Sequence, residues 1–292
     1  MTAAQWLVLV LQASIILTVL GFGLTVAWSD ATYLFRRPPL LLRALLSMNV
    51  VMPIVVALIA SSFALPFEVK VALVALSVSP VPPILHKRQL TAGGRKEYVV
   101  GLLVAMSLLA IIIVPLAVFV FGAVFGTVAR IGPLAIGKIM LTTVLAPLLA
   151  GLLIRNWFPR SEKASGPIIA VAGVLLLVSA AALVVGLWPV IKSYIGNGVV
   201  LMLAVIAAIG LLAGHLLGGP QPKDRTTLAI STAARHPAVA LAIATSGVVS
   251  EPKSALGAIL LYLIVSTLVS LPYQKWRTPK AEAGLRNADS KA

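Results

Sequence analysis

Nine apolar runs, each long enough to cross a lipid bilayer as a helix, divide this sequence almost end to end. They fall at about 5–28, 38–63, 67–90, 97–122, 131–154, 166–188, 196–218, 225–249 and 253–274, bounded by charges or by Gly and Pro. A hydrocarbon core about 30 Å thick takes roughly 20 apolar residues as an α-helix, and lipid-exposed backbone must satisfy its own hydrogen bonds. Runs this long, rich in Leu, Ala, Val and Gly, do so as helices rather than as the short alternating strands of a barrel. The expected fold is all-α, a polytopic membrane protein with nine transmembrane helices in a single membrane domain, 1–274. The charged stretch 275–292 is expected to be a disordered basic cytoplasmic tail. The first run is expected to stay as a span and not to act as a signal peptide. Residues 1–5 carry no basic side chain, and Arg36, the first base, lies beyond the run.

The bases then set the topology. Threaded alternately across the bilayer, the loops after runs 1, 3, 5 and 7 share one side with the C-terminus. That side carries Arg36, Arg37, Arg43, Lys87, Arg88, Arg95, Lys96, Arg155, Arg160, Lys163, Lys223, Arg225, Lys275, Arg277, Lys280, Arg286 and Lys291. The other side has Lys70, Arg130, Lys192 and Lys253. By the positive-inside rule the richer side is cytoplasmic, which puts the N-terminus outside and the C-terminus inside a plasma or bacterial inner membrane. The excess of 23 Lys and Arg over 8 Asp and Glu therefore reads as topology, with no nucleic acid as a partner. The absence of cysteine excludes disulfides and thiol chemistry, and three scattered histidines make no metal site.

Two bases fall inside apolar runs. Lys138 lies near enough to the outer interface for its stem to snorkel. Arg235 lies ten residues in from Arg225, about 15 Å at helical rise, close to the bilayer midplane. Around it the sequence reads STAARHPAVALAIA, and Pro237 removes a donor and disfavours helix at His236. The third run is interrupted in the same way by Pro80, Pro82 and Pro83, just before His86. Two helices broken near mid-membrane, five runs apart and running in opposite directions, point to a secondary transporter built as an inverted repeat. Runs 1 to 4 would then echo runs 6 to 9.

With these features in place, the chain resembles the bile acid:sodium symporter family from about Gly21 to Tyr273. The most specific stretch is GFGLTVAWSDATYLFRRPPLLLRALLSMNVVMP, Gly21 to Pro53. The break from Pro80 looks like the family's first crossing helix, and ISTAARHPAVALAIA, from Ile230, like its second. The resemblance implies a panel domain beside a core domain that holds two discontinuous crossing helices. It also implies sodium sites, and here the chain departs from the pattern. Ser231, Ala233, Arg235 and His236 stand where the family has a sodium-binding Glu followed by Gly and Gln-Asn. Leu85 and His86 replace Ser-Asn, Met48 replaces a Gln, and Leu103 replaces one of a polar pair of which Ser107 persists. Independently of any family, all eight acidic residues sit in loops, at span ends or in the tail. Two sodium ions without a carboxylate would be poorly neutralised in a low-dielectric core.

The expected function is transport of a small organic anion, with Arg235, His236 and His86 supplying the positive field. Asn49, Ser107, Ser231 and Thr232 are candidate polar contacts or, equally, helix-packing cement. Arg235 can instead pair with carbonyls freed at the break. A midplane histidine can carry a proton, which leaves proton coupling open. No cofactor is expected, and sodium is possible although the family ligands are mostly replaced. The partners are the lipid bilayer and the anion. An anion channel and a sodium-coupled symporter using carbonyl and hydroxyl ligands are the alternatives. An enzyme is not expected, because Ser231 and His236 lack an orienting acid.

Overall fold

In the computed structural model, residues 3–125, 131–196, 198–246 and 251–289 are described. Arg130 and Lys291, both used in the topology argument, lie outside them, as do residues 247–250 at the end of the eighth run. The main helices are α1 (Ala3–Gly23), α2 (Pro38–Ser62), α3 (Phe67–Val78), α4 (Pro83–Thr91), α5 (Lys96–Phe125) and α6 (Pro133–Trp157). They continue as α7 (Ser165–Gly186), α8 (Val199–Leu217), α9 (Pro222–Ala233), α10 (Pro237–Ala244) and α11 (Pro252–Asp289). The helices α2, α4, α6, α9, α10 and α11 each begin on proline, whose fixed φ and missing donor cost nothing at the first helical position.

Seven stretches are long and apolar enough to cross a membrane, α9 and α10 counting together. The pair α3 and α4, bent by 71° at its break, makes an eighth. α1 is a 21-residue helix with a shorter apolar stretch, Leu9–Gly23. The protein is thus an all-helical, multi-pass membrane protein.

Helix α1 packs on α6 and α7, and α7 turns Val171, Val174, Leu177, Val178 and Val185 outward, as a lipid-facing helix does. Elsewhere α11 touches α3, α8, α9 and α10, and α3 also packs against α10 and α2. The main core runs from Met52 and Val56 of α2 through Leu73 and Leu76 of α3 to Ile259 and Tyr262 of α11.

The last helix continues past Gln274 to Asp289. Its first turn beyond Gln274 is tied down, since Arg277 is buried and donates Nε–H to Thr226 Oγ1 at 2.7 Å and Nη2–H to the Pro222 carbonyl at 2.8 Å. These charge-assisted hydrogen bonds fix that turn on α9.

Candidate functional site at the crossing of two broken helices

Both expected breaks are present. The first separates α3 from α4 at residues 79–82, and the second separates α9 from α10 at residues 234–236. Ser79 and Ala234 are extended, with ψ of 147° and 146°. The two breaks lie against each other, because the backbone N–H of His236 donates to the Pro80 carbonyl at 2.9 Å.

Proline chemistry explains what gathers there. A carbonyl in a helix is normally satisfied by the N–H four residues on, and proline has none. Pro83 follows Ser79 by four residues, and Pro237 follows Ala233 by four. In α2, residues Leu46–Val51 widen into a π-turn in which the Met52 N–H reaches back to the Ser47 carbonyl. The next carbonyl in that register, Met48, would need a donor from Pro53. Three carbonyls are therefore orphaned, and buried carbonyls must find partners. Arg235 donates Nη1–H to Ser79 at 3.2 Å and Nη2–H to Met48 at 3.0 Å. The Tyr262 hydroxyl donates to Ala233 at 2.9 Å.

Arg235 is 1% exposed, and among the described residues no acid pairs with it. Its charge is met only by carbonyl dipoles, including the C-terminal end of α3. Its Nε–H has no partner among the described residues. Arg235 is also among the residues that line a cavity of about 200 Å³. This cavity lies between Leu176 of α7 and the α4, α9, α10 and α11 helices, and Arg88, Ser266, Thr267, Ser270 and Gln274 supply its other polar groups. Among the described residues no Asp or Glu lines it. Arg88 donates Nη1–H to Thr267 Oγ1 at 3.1 Å, and the buried Gln274 Nε2 has no partner among the described residues.

The other sequence candidates are distributed around this centre. His236 is 1% exposed, and neither ring nitrogen has a partner among the described residues. His86 points elsewhere: its Nδ1 contacts the Pro83 carbonyl at 3.0 Å and its ring stacks on Phe22 of α1 at 4.0 Å. Ser107 is fully buried and its hydroxyl has no hydrogen-bond partner among the described residues, and Asn49 is half-buried on the π-turn of α2. Ser231 and Thr232 are engaged within the protein. Gln89 Nε2 donates to Ser231 Oγ at 2.5 Å and to the Thr227 carbonyl at 3.2 Å, and Ser47 and Thr232 share a hydrogen bond of 2.9 Å. Among the prolines, Pro82 and Pro237 line the cavity. Lys138 is exposed, as snorkelling requires, and His215 contacts the Tyr273 hydroxyl at 2.8 Å.

Sequence reasoning missed Gln89, Tyr262 and the cavity role of Arg88. Arg88 and Gln89 sit in the basic stretch HKRQL, where topology accounts for every charge, and Tyr262 sits in an unbroken apolar run.

Two interrupted helices tied together inside an apolar bundle, with a buried cation at their contact, define a multi-pass membrane protein of the discontinuous-helix type. The sodium bile acid symporter family matches residues 13–194, more than half of the chain, and the chain belongs to that family. The matched part contains the first break and ends before the second. The chain is also 28% identical, over 164 residues, to the uncharacterized sodium-dependent transporter YocS of Bacillus subtilis (strain 168). That alignment covers 55% of this chain and 50% of the relative, so the chain spans about half the length of the curated relative it matches. Family and relative point to a transporter rather than an enzyme.

Proposed function

We propose that this chain is a secondary carrier of a small organic anion in a cytoplasmic membrane, with Arg235 in the place of a dissociable cation. In this reading nine spans form an inverted repeat, with the N-terminus outside and the C-terminus inside. The observation that carries the proposal is Arg235, whose guanidinium is held by two orphaned carbonyls and which belongs to the lining of a cavity with no Asp or Glu among its described residues. A buried, permanently charged group without a carboxylate partner leaves a positive potential that an anion can neutralise. The cavity, at about 200 Å³, lies below the ~300–1,000 Å³ typical of drug-sized ligands. It suits a compact acid better than a steroid conjugate.

The name of the Bacillus subtilis relative favours a second reading, sodium-coupled symport through carbonyl and hydroxyl ligands. The experiment that separates the two is uptake of a panel of labelled organic anions into proteoliposomes, with sodium, potassium or a pH gradient imposed in parallel. Accumulation indifferent to sodium, and abolished in Arg235→Gln, is expected. Accumulation that requires sodium, or normal uptake by Arg235→Gln, overturns the role given to Arg235.

A further inference from the structure

On the base-rich face a second pocket of about 800 Å³, which shares no lining residue with the crossing cavity, opens where α8 ends and α9 begins. Arg95, Lys223, Arg225, Arg277, His215 and Trp276 line it, and among the described residues no Asp or Glu does. Its three arginines are held in place from behind. Arg95 pairs through Nε with buried Asp224 at 3.2 Å, and its Nη1–H donates to the Tyr33 hydroxyl at 2.8 Å. Arg225 is anchored through Nε to the Gly219 carbonyl at 2.7 Å. Arg277 is anchored on Thr226 and Pro222.

These anchors leave unused donors. Both terminal nitrogens of Arg225, Nη2 of Arg95, Nη1 of Arg277 and the exposed Lys223 ammonium have no hydrogen bond or ion pair among the described residues. Asp224 offsets the charge of Arg95, and the other three cations of this concave lining repel one another unless a further anion joins them. The first turn of the 12-residue α9 enters the same pocket at Pro222, and its N-cap residue Gln221 makes no side-chain cap, so the positive end of the helix adds to the field.

The neighbouring surface is apolar. Leu212 and Leu216 of α8 and Leu268 and Leu271 of α11 face outward along the same two helices, and Trp276 is 49% exposed at the pocket's edge. Aromatic residues of this kind sit at the headgroup level of a bilayer.

We infer that this pocket binds a phosphate-bearing anion, supplied as the headgroup of an anionic phospholipid from the adjoining leaflet. The guanidinium groups and Lys223 take the phosphate oxygens, and the leucine faces of α8 and α11 take the acyl chains. The site is separate from the transport reading and stands or falls without it.

The test uses the full chain purified in a neutral detergent and titrated with phosphatidylglycerol, phosphatidylcholine or glycerol 3-phosphate, with the thermal unfolding midpoint as readout. Phosphatidylglycerol is expected to raise the midpoint saturably, and phosphatidylcholine is not. The Lys223→Gln/Arg225→Gln double variant should need on the order of tenfold more phosphatidylglycerol for the same rise. Lys192→Gln/Lys253→Gln, on the opposite face, should behave as wild type. If the double variant fails to fold, Lys223→Gln alone, at an exposed lysine, carries the test with a several-fold loss. If glycerol 3-phosphate matches the lipid at equal concentration, the phosphate site stands and its lipid source is overturned. Equal shifts by the two lipids, or an undiminished response in the variants, overturn the site.

Discussion

Each orphaned carbonyl at the crossing can be traced to a proline four positions along the chain or, in the π-turn of α2, five. Pro53, Pro83 and Pro237 orphan the Met48, Ser79 and Ala233 carbonyls, and Arg235 and Tyr262 satisfy all three. A buried carbonyl left without a partner costs about 1–3 kcal/mol. Tyr262→Phe is therefore expected to destabilise the protein by about that amount, read as a lower thermal midpoint in detergent. Pro237→Ala supplies the missing N–H and lets α9 and α10 join, so Tyr262→Phe should cost much less in that background. Two penalties that simply add would show that the hydroxyl does not serve the Ala233 carbonyl. Part of this was legible beforehand, because prolines that break an apolar run and an arginine deep inside one are visible in any sequence. The acceptors of Arg235 were not. They depend on which helices meet, and Met48 becomes an acceptor only through the π-turn ahead of Pro53. The hydroxyls of Ser231 and Thr232 could equally have faced a substrate or a neighbouring helix, and Gln89 and Ser47 engage them from within the protein.

At the scale of elements, the second broken helix is held by close backbone contact with α8. Gly210 and Gly214 share one face of that helix, and Gly218, four residues further on, is its C-cap. A Cβ added at Gly214 would lie 2.5 Å from the Ala229 Cα and 2.5 Å from the Leu228 carbonyl oxygen, and one at Gly210 would lie 3.0 Å from the Ala233 Cα. Small residues let membrane helices approach this closely, and here the approach fixes α9 up to the residue before the break. Gly214→Ala should push α9 outward and cost on the order of 1–3 kcal/mol. Gly173→Ala, in α7, meets nothing within 4 Å and should be neutral or stabilising by up to about 1 kcal/mol. Opposite signs in thermal midpoint are expected for the pair; equal effects would mean that the α8–α9 contact is not close in the membrane. The all-helical character was legible in the apolar runs. Which of them pack, and that the last continues beyond Gln274, depends on partners far away in the chain, such as Thr226 for Arg277.

For the whole molecule, the crossing cavity has walls of two origins. Leu176 belongs to α7, which packs on α1, whereas Leu263, Ser266 and Ser270 belong to α11, which packs on the broken helices. A carrier that exposes one site alternately to the two sides moves such bodies against each other. Linking them across the cavity should therefore stop transport without unfolding either one. The absence of native cysteine makes Leu176→Cys/Leu263→Cys a clean test, since a short bifunctional maleimide can react only at the introduced pair. Linked protein is expected to lose nearly all uptake of whichever anion the wild type accumulates, while each single-cysteine variant treated in the same way retains it. Because the link lies beside Arg235 and not at the base-rich pocket, phosphatidylglycerol should still raise the thermal midpoint of the linked protein. Uptake that persists after complete linking would mean that the α1–α6–α7 group and the broken helices do not move apart during transport, and that the anion passes through a fixed structure, as it would in a channel.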